Sequence, residues 1–386
     1  MTEARKHKTF LVVAFLVIIY AVGITQALVE LREGDNPQFL DLFLQKPTEH
    51  NLRTFENDLE NTSWFSQTSQ PWMRYLQFIV LKDTGDKAIM GRDGWFFYRP
   101  GVRYLIEPWP QRSTSVKEKT DPVSAILSFR DQLSERGIQL LVVPAPGKAS
   151  IYPEKLTLRA KDTNRIVYTH TREIIEALKE TDVAVFDLFH AFSTTDANNS
   201  EYYLSQDTHW SPAGMSLAAV SIAQRILGLG WVEKGNIEYR LEPVTFDRYG
   251  DVLEMLSIPY IDRMYRPEKI RCQQVVRGDT GEPYRDEQNS EILVLGDSFL
   301  RIYERDEPGS AGFVAHLAYE LKTPLTSIIN DGGASTLVRQ ELSRKPQLLD
   351  DKKIVIWEFV ERDIRFGIEG WQNIPLPHKT QNNSSG

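Results

Sequence analysis

Cysteine is almost missing from this chain: Cys272 is the only one in 386 residues. That excludes an intramolecular disulfide and any cysteine-rich metal site, and it leaves the compartment open. Cys272 stands in Lys269-Ile270-Arg271-Cys272-Gln273, which reads as a short strand and makes the thiol a packing residue. Excess positive charge is also absent. A net charge of -8 and a pI near 5.5 argue against a nucleic-acid partner. His170, His190 and His316 show no ligand spacing, so no metal is expected, and no cofactor either. There is no internal repeat. What remains is ordinary for a globular protein, with 41% hydrophobic and 25% charged residues. The length suits one large or two modest domains.

One long apolar run is present. Thr9 to Val29 carries no charge and follows Arg5, Lys6, His7 and Lys8. It is long enough to cross a bilayer core as a helix. The basic residues before it predict a cytoplasmic tail over 1–8 and an exported remainder behind a signal anchor at 9–29. The competing reading is a cleaved signal peptide ending at Thr25-Gln26-Ala27; the length of the run favours the anchor. Residues 30–86 are polar and punctuated and read as a stalk with helical pieces. Trp72 to Leu81 reads as a short apolar helix. Gly91-Arg92-Asp93-Gly94 is turn chemistry before the aromatic strand Trp95 to Tyr98. Core packing is the plain reading of those aromatics, and stacking on sugar is the rival one.

From Asp121 the pattern alternates. Helix-like stretches at Pro122–Arg136, Asn164–Lys179, Pro212–Leu227, Gly312–Leu321 and Ser335–Arg344 separate strand-like runs. Those runs are Ile138–Val143, Val183–Asp187, Glu291–Leu295, Leu325–Ile329 and Ile354–Trp357. Alternation on this scale predicts an α/β fold, a parallel sheet with helices on both faces. Residues 228–290 interrupt it and read as an irregular insertion able to wall a groove. Trp371 to Gly386 is polar and is expected to be disordered.

Glu291-Ile-Leu-Val-Leu-Gly-Asp-Ser-Phe-Leu300 organises the chain. A buried strand stops at Gly296 and throws Asp297 and Ser298 into a turn, at the strand end where open α/β sheets carry their sites. A serine there pairs an exposed hydroxyl with a free backbone N–H, a nucleophile beside one oxyanion donor. Its base is sought upstream, in Gln206-Asp207-Thr208-His209-Trp210-Ser211-Pro212. Asp207 and His209 are two apart and leave an extended segment on one face. The carboxylate can then hold one imidazole nitrogen while the other faces Ser298. The plain alternatives are a strand-ending turn at Gly296-Asp297-Ser298 and a helix cap at Ser211-Pro212. Asp297 reads as a cap rather than an acid or base, and Arg301 as a solvated position one turn on.

These two blocks resemble the serine block and the Asp/His block of SGNH hydrolases. Here the Asp/His block comes first with Asp-x-His spacing, unlike ordinary SGNH esterases. That order is similar to the periplasmic polysaccharide O-acetyltransferases typified by the alginate acetylation proteins. Gly94-Trp95-Phe96-Phe97-Tyr98, Val143-Pro144-Ala145-Pro146-Gly147-Lys148, Ile151-Tyr152-Pro153 and Trp357-Glu358-Phe359-Val360-Glu361-Arg362-Asp363 also look like that branch. The resemblance implies an SGNH-like three-layer sandwich over 87–365, followed by a polar tail over 366–386. Tyr98, Lys148, Glu358 and Arg362 are given no catalytic role. The resemblance adds an asparagine and a glycine to the oxyanion hole, here Asn330 with Gly332 or Gly333 behind it; a turn asparagine is the alternative. It further implies a single-pass protein of the bacterial inner membrane with its catalytic domain in the periplasm. Acetyl would come from a membrane O-acyltransferase, the acceptor would be a polysaccharide, and other exopolysaccharide machinery would be partners. Two rival readings share these residues: a membrane-anchored glycan acetyl esterase, and a non-catalytic subunit of an export complex.

Overall fold

The computed structural model of the protein describes residues 3–44, 46–108, 121–160, 167, 169–194 and 201–377. The chain divides into two compact units. One runs to Asp83 and takes in Ser257–Ile261; the other holds Thr84–Leu256 and the chain from Asp262.

In the first unit, α1 spans Glu3–Glu33. Its part from Thr9 to Glu33 is 25 residues long, and the most apolar 18-residue window in it has a mean hydropathy of 2.5, long and apolar enough to cross a membrane. Beyond it lie α2 (Glu49–Thr62) and α3 (Trp64–Leu81), so the stretch read as a stalk is helical over much of its length. Ser63 caps α3, its Oγ accepting the Ser66 N–H at 3.3 Å.

In the larger unit, β1 (Ala88–Met90) and β2 (Phe96–Tyr98) form an antiparallel pair. Then α4 (Pro122–Ser134), β3 (Gln139–Ala145), α5 (Thr169–Lys179) and β4 (Ala184–Val185) follow, and after them α6 (Pro212–Gly228). Asp121 and Ser211 cap α4 and α6, each with proline at the first helical position, where a missing N–H costs nothing. A two-stranded ribbon of β5 (Tyr239–Arg248) and β6 (Glu268–Arg277) precedes β7 (Ile292–Gly296). Then come α7 (Phe313–Leu321), β8 (Thr326–Ile329), α8 (Leu337–Arg344) and β9 (Ile354–Val360).

Five of these strands make one parallel sheet in the order β4-β3-β9-β7-β8. Side chains alternate across it as the strand period requires. Leu141, Val143, Val294 and Ile356 face one apolar layer with Ala219, Ile222 and Ile226 of α6 and Val314 and Leu317 of α7. Leu140, Val142, Leu293, Leu295, Val355 and Trp357 face the other, with Ile126 and Phe129 of α4 and Val338 and Leu342 of α8. The α/β expectation therefore holds: a parallel sheet with helices on both faces, its inner strands largely apolar and buried on both sides.

Two expectations are corrected. Residues 228–290 are not irregular throughout, since β5 and β6 pair in register over ten residues each, from Tyr239↔Arg277 to Arg248↔Glu268. The first part of the tail read as polar is ordered. Trp371 is buried, with its ring 4.9 Å from that of Phe359, and Leu376 donates its N–H to Gln132 Oε1 at 2.6 Å. One aromatic ring and a paired backbone outweigh the polar average of that stretch. The rest of the tail, 378–386, lies outside the described residues, as do residues 164–166 and 168 of the helix expected from Asn164.

Candidate active site

β7 lies between β9 and β8, one strand in from the sheet's side, and its end opens along the carboxyl edge of the sheet. Gly296 closes the strand because nothing larger fits: a Cβ there would stand 2.4 Å from Leu300 Cδ1 and 2.5 Å from Glu358 Oε2. Asp297 then turns the chain. Its Oδ1 accepts the Phe299 N–H at 2.8 Å and its Oδ2 the Val360 N–H at 3.1 Å, tying the end of β7 to the end of β9. The cap expected at Asp297 is there, with a second anchor added. Ser298 opens a single helical turn, Ser298–Arg301, and is 8% exposed. Among the described residues none accepts a hydrogen bond from the Ser298 backbone N–H.

The segment Ser205–Trp210 brings Asp207 and His209 to this serine. His209 Nε2 lies 2.8 Å from Ser298 Oγ, and His209 Nδ1 lies 2.6 Å from Asp207 Oδ1. The Phe299 ring packs against the imidazole at 5.1 Å. Asp207 is fully buried, and each of its oxygens accepts two hydrogen bonds. Oδ1 takes the His209 backbone N–H at 3.0 Å besides the ring nitrogen. Oδ2 takes Arg248 Nε at 3.0 Å and the Asp251 N–H at 3.2 Å. Burial alone would push Asp207 upward, but His209, Arg248 and these hydrogen bonds outweigh it and hold the carboxyl well below its usual range. Burial likewise pushes His209 down, and Asp207 beside it more than compensates, so the imidazole sits above its ordinary value.

Reading the sequence missed what braces this segment. Arg248 ends β5, and its ribbon partner Glu268 begins β6. Glu268 accepts the Ser205 N–H at 2.8 Å and the Gln206 N–H at 2.9 Å, while Arg248 holds Asp207. Gly250 lets the two backbones touch, since a Cβ there would lie 2.1 Å from Gln206 O. Asp251 accepts the Thr208 N–H at 2.7 Å and stands 3.7 Å from His209 Nδ1. Lys148 supports the other side: it is buried, and its Nζ donates to Ser205 O at 2.7 Å and Asp207 O at 3.0 Å. Burial lowers the Lys148 ammonium to about 7. No periodicity or short motif marks Arg248, Asp251 or Glu268; only β-ribbon pairing of the interrupted stretch would have found them.

Ligand atoms of Asp207, His209 and Asp251 lie within 4.8 Å of one another, close enough to hold a cation. The donor set argues otherwise, because both oxygens of Asp207 are filled by N–H groups and the Arg248 guanidinium already supplies the positive charge.

A cavity of about 430 Å³ opens over Ser298 and His209, walled by Tyr98, Arg103, Arg301, Asp331, Gly332, Arg362 and Asp363 among others. Trp95, Phe96 and Phe97 are core, so of that aromatic strand Tyr98 alone reaches the cavity wall. Arg301 is not a free solvated side chain: its Nε meets Asp331 Oδ1 at 2.9 Å and its other end pairs with Asp306. Arg362 lies over the rings of Tyr98 at 5.3 Å and Phe299 at 5.9 Å. Asn330 follows β8 beside the serine turn, its N–H bonded to Gly296 O at 3.0 Å. Its carboxamide oxygen rests against Gly333, where a Cβ would stand 2.3 Å away. The neighbouring cavity wall is formed by Asp331 and Gly332.

Behind the serine, Glu358, Glu361 and Asp363 are buried carboxyls. Burial, then Asp297, raises Glu358 well above the usual range and Asp363 to about 8. Burial raises Glu361 to about 7 against the hydrogen bonds from Ser150, Thr171 and Gly147.

Comparison with known proteins shows the family. The family described as SGNH hydrolase-like domain, acetyltransferase AlgX, matches residues 88–361. The probable alginate O-acetylase AlgJ of Azotobacter vinelandii is 24% identical over 297 residues, covering 74% of this chain and 72% of that protein. Among solved structures, the O-acetyltransferase domain of Pseudomonas putida AlgJ superposes with a TM-score of 0.56 at 19% identity, over 72% of this chain and 91% of that one. Pseudomonas aeruginosa AlgX gives 0.52 at 18%, over 71% and 61%.

Proposed function

The chain belongs to the AlgX family of SGNH hydrolase-like acetyltransferases, and we propose that it is a membrane-anchored, periplasm-facing enzyme that moves acetyl groups onto hydroxyls of an exopolysaccharide through an acyl-serine. The single observation that carries the reading is the chain of contacts Ser298 Oγ–His209 Nε2 at 2.8 Å and His209 Nδ1–Asp207 Oδ1 at 2.6 Å, open to a cavity.

In the first half-reaction His209 Nε2 takes the Ser298 proton as Oγ bonds the carbonyl carbon of the acetyl donor. The leaving group then departs with that proton. Asp207 holds the tautomer with Nε2 free to accept and stabilises the imidazolium. In the second half-reaction a sugar hydroxyl gives its proton to His209 and attacks the acyl carbon, and Ser298 Oγ leaves and is reprotonated. The Ser298 N–H is the proposed oxyanion donor, and losing such a donor is worth on the order of a hundredfold; the Asn330 carboxamide, expected as the second, does not line the cavity, whose wall there is Asp331 and Gly332. Water and a sugar hydroxyl attack the same acyl-enzyme, so transfer requires the acceptor to fill the cavity and exclude water. The names of the relatives, probable alginate O-acetylases, support a polysaccharide acceptor and partners in an exopolysaccharide complex; a membrane-embedded acetyl donor is part of the proposal.

The test is turnover of a chromogenic acetyl ester by purified full-length protein, with and without candidate oligosaccharides. Ser298→Ala, His209→Ala and Asp207→Ala are expected to lose turnover while remaining folded, and acetyl is expected on sugar. Parent-level turnover in the three variants would sink the assignment. Net loss of acetyl from an acetylated polymer would make the enzyme an esterase.

A further inference from the structure

α3 carries its apolar face on the wrong side for a helix of a water-soluble unit. Phe65, Trp72, Met73, Leu76, Ile79 and Val80 share one face at helical spacing, and all are exposed, Trp72 at 52%, Leu76 at 54% and Val80 at 71%. Gln67, Gln70, Arg74 and Gln77 lie opposite, and the one deeply buried side chain, Phe78, is on their side. Arg74 is the only charged residue in the helix. Soluble packing buries the apolar stripe; here Trp72 meets the Tyr260 ring at 5.8 Å, and the rest of the stripe is presented outward and needs an occupant.

Its attachment says which occupant. The Trp64 N–H at the start of α3 donates to Gln26 Oε1 at 2.7 Å, and Gln26 in turn donates to Glu30 Oε1 at 2.7 Å. Glu30 Oε2 accepts the Gln38 N–H at 2.9 Å, fixing a second short helical segment whose Phe43 and Leu44 are also exposed. Both segments are therefore pinned to α1 where its charge-free run ends at Val29, the level at which a spanning helix leaves the hydrocarbon. Trp64, Phe65, Trp72 and Tyr75 supply the aromatic residues favoured at that depth.

We propose that α3 lies in the plane of the membrane interface with its Phe65–Trp72–Leu76–Val80 face against lipid, a second membrane contact beside α1. It rests on the reading of α1 as a retained anchor. Lipid fits the face better than a protein partner does, because the face is continuous with the end of the spanning segment and carries no charge to specify a partner.

The experiment uses the full-length protein in phosphatidylcholine vesicles with brominated acyl chains, read by tryptophan fluorescence. α1 contains no tryptophan, Trp95, Trp210, Trp357 and Trp371 are buried, and Trp231 is half-buried; Trp109→Phe and Trp231→Phe are made in the parent and in every variant compared with it. Quenching by bromolipid is expected in the parent and lost in Trp64→Phe/Trp72→Phe. Leu76→Glu is expected to weaken quenching and restore access of aqueous acrylamide to Trp72. Equal quenching of the double variant and the parent, or acrylamide access unchanged by vesicles, overturns the proposal. So does efficient self-crosslinking of a Leu76→Cys, Cys272→Ser protein without lipid quenching, which would give the face to a second copy. Carbonate extraction keeps the two failures apart: a protein washed off the vesicles loses the anchor reading, whereas one retained but unquenched loses only the α3 contact.

Discussion

Asp207 accepts four N–H donors on two oxygens, and everything proposed for His209 depends on that carboxylate staying ionised and still. Arg248→Met removes the only cationic donor on Oδ2. It should cost about 1–3 kcal/mol for a lost charged hydrogen bond and lower kcat/KM, checked by chemical denaturation and ester turnover. The pH profile follows from His209. Its imidazole is raised by Asp207 and must be neutral to act as base, so activity should fall as pH drops through a limb above the usual histidine value. Asp207→Asn removes the charge that raises it, so the limb should move to lower pH while the plateau falls by roughly 10⁴. A limb that stays where it was would mean that another group titrates.

The element that matters most after β7 is the β5–β6 ribbon. Its end pair, Arg248 and Glu268, grips the backbone and side chain of Ser205–Asp207 from one side while Lys148 holds the same segment from the other. Glu268→Ala would leave the Ser205 and Gln206 N–H groups unpaired, a loss of about 1–3 kcal/mol. Turnover should fall and KM for a small ester hold, because Asp207 is displaced rather than the cavity. A crystal structure or a thermal melt paired with kinetics checks this. Gly296→Ala should be worse, since the added Cβ meets Leu300 and Glu358 together at the strand end. Overpacking of that kind costs about 1–3 kcal/mol and would shift Ser298. These elements also show where sequence reading stops. β7 and β9 are mostly apolar runs buried on both faces, so period and punctuation mark them. Ser298, His209 and Asp207 stand in short blocks whose residue types suggest their chemistry. Arg248 and Glu268 stand in strands half exposed to solvent, where charges look ordinary until register sets them opposite each other, and Asp251 opens a short helix just after the ribbon strand. Trp371 was hidden by its polar neighbours and is held by an edge-on ring contact with Phe359 and a tilted one with Trp357, residues brought to it only in the folded chain.

Across the whole molecule, buried acids set the response to pH. Glu358, Glu361 at about 7 and Asp363 at about 8 are all raised in the fold. A raised group binds its proton more tightly folded than unfolded, so its contribution is full below its unfolded pKa and is lost as pH rises through the folded one. The melting temperature should therefore fall between pH 5 and pH 8. For Glu361 alone, the rise from 4.5 to about 7 corresponds to roughly 3 kcal/mol. Glu361→Gln keeps an acceptor for Gly147 and should flatten that slope, read by melts across the range; an unchanged slope would remove Glu361 from the account. The central claim is narrower: acetyl passes through Ser298. The most direct measurement is intact-mass and peptide analysis of the full-length protein quenched during turnover of an acetyl ester. One acetyl group on the peptide holding Ser298, gone after an accepting oligosaccharide is added and never formed in Ser298→Ala, is the predicted result. Turnover with no acetyl on Ser298, or the same turnover in Ser298→Ala, would contradict it.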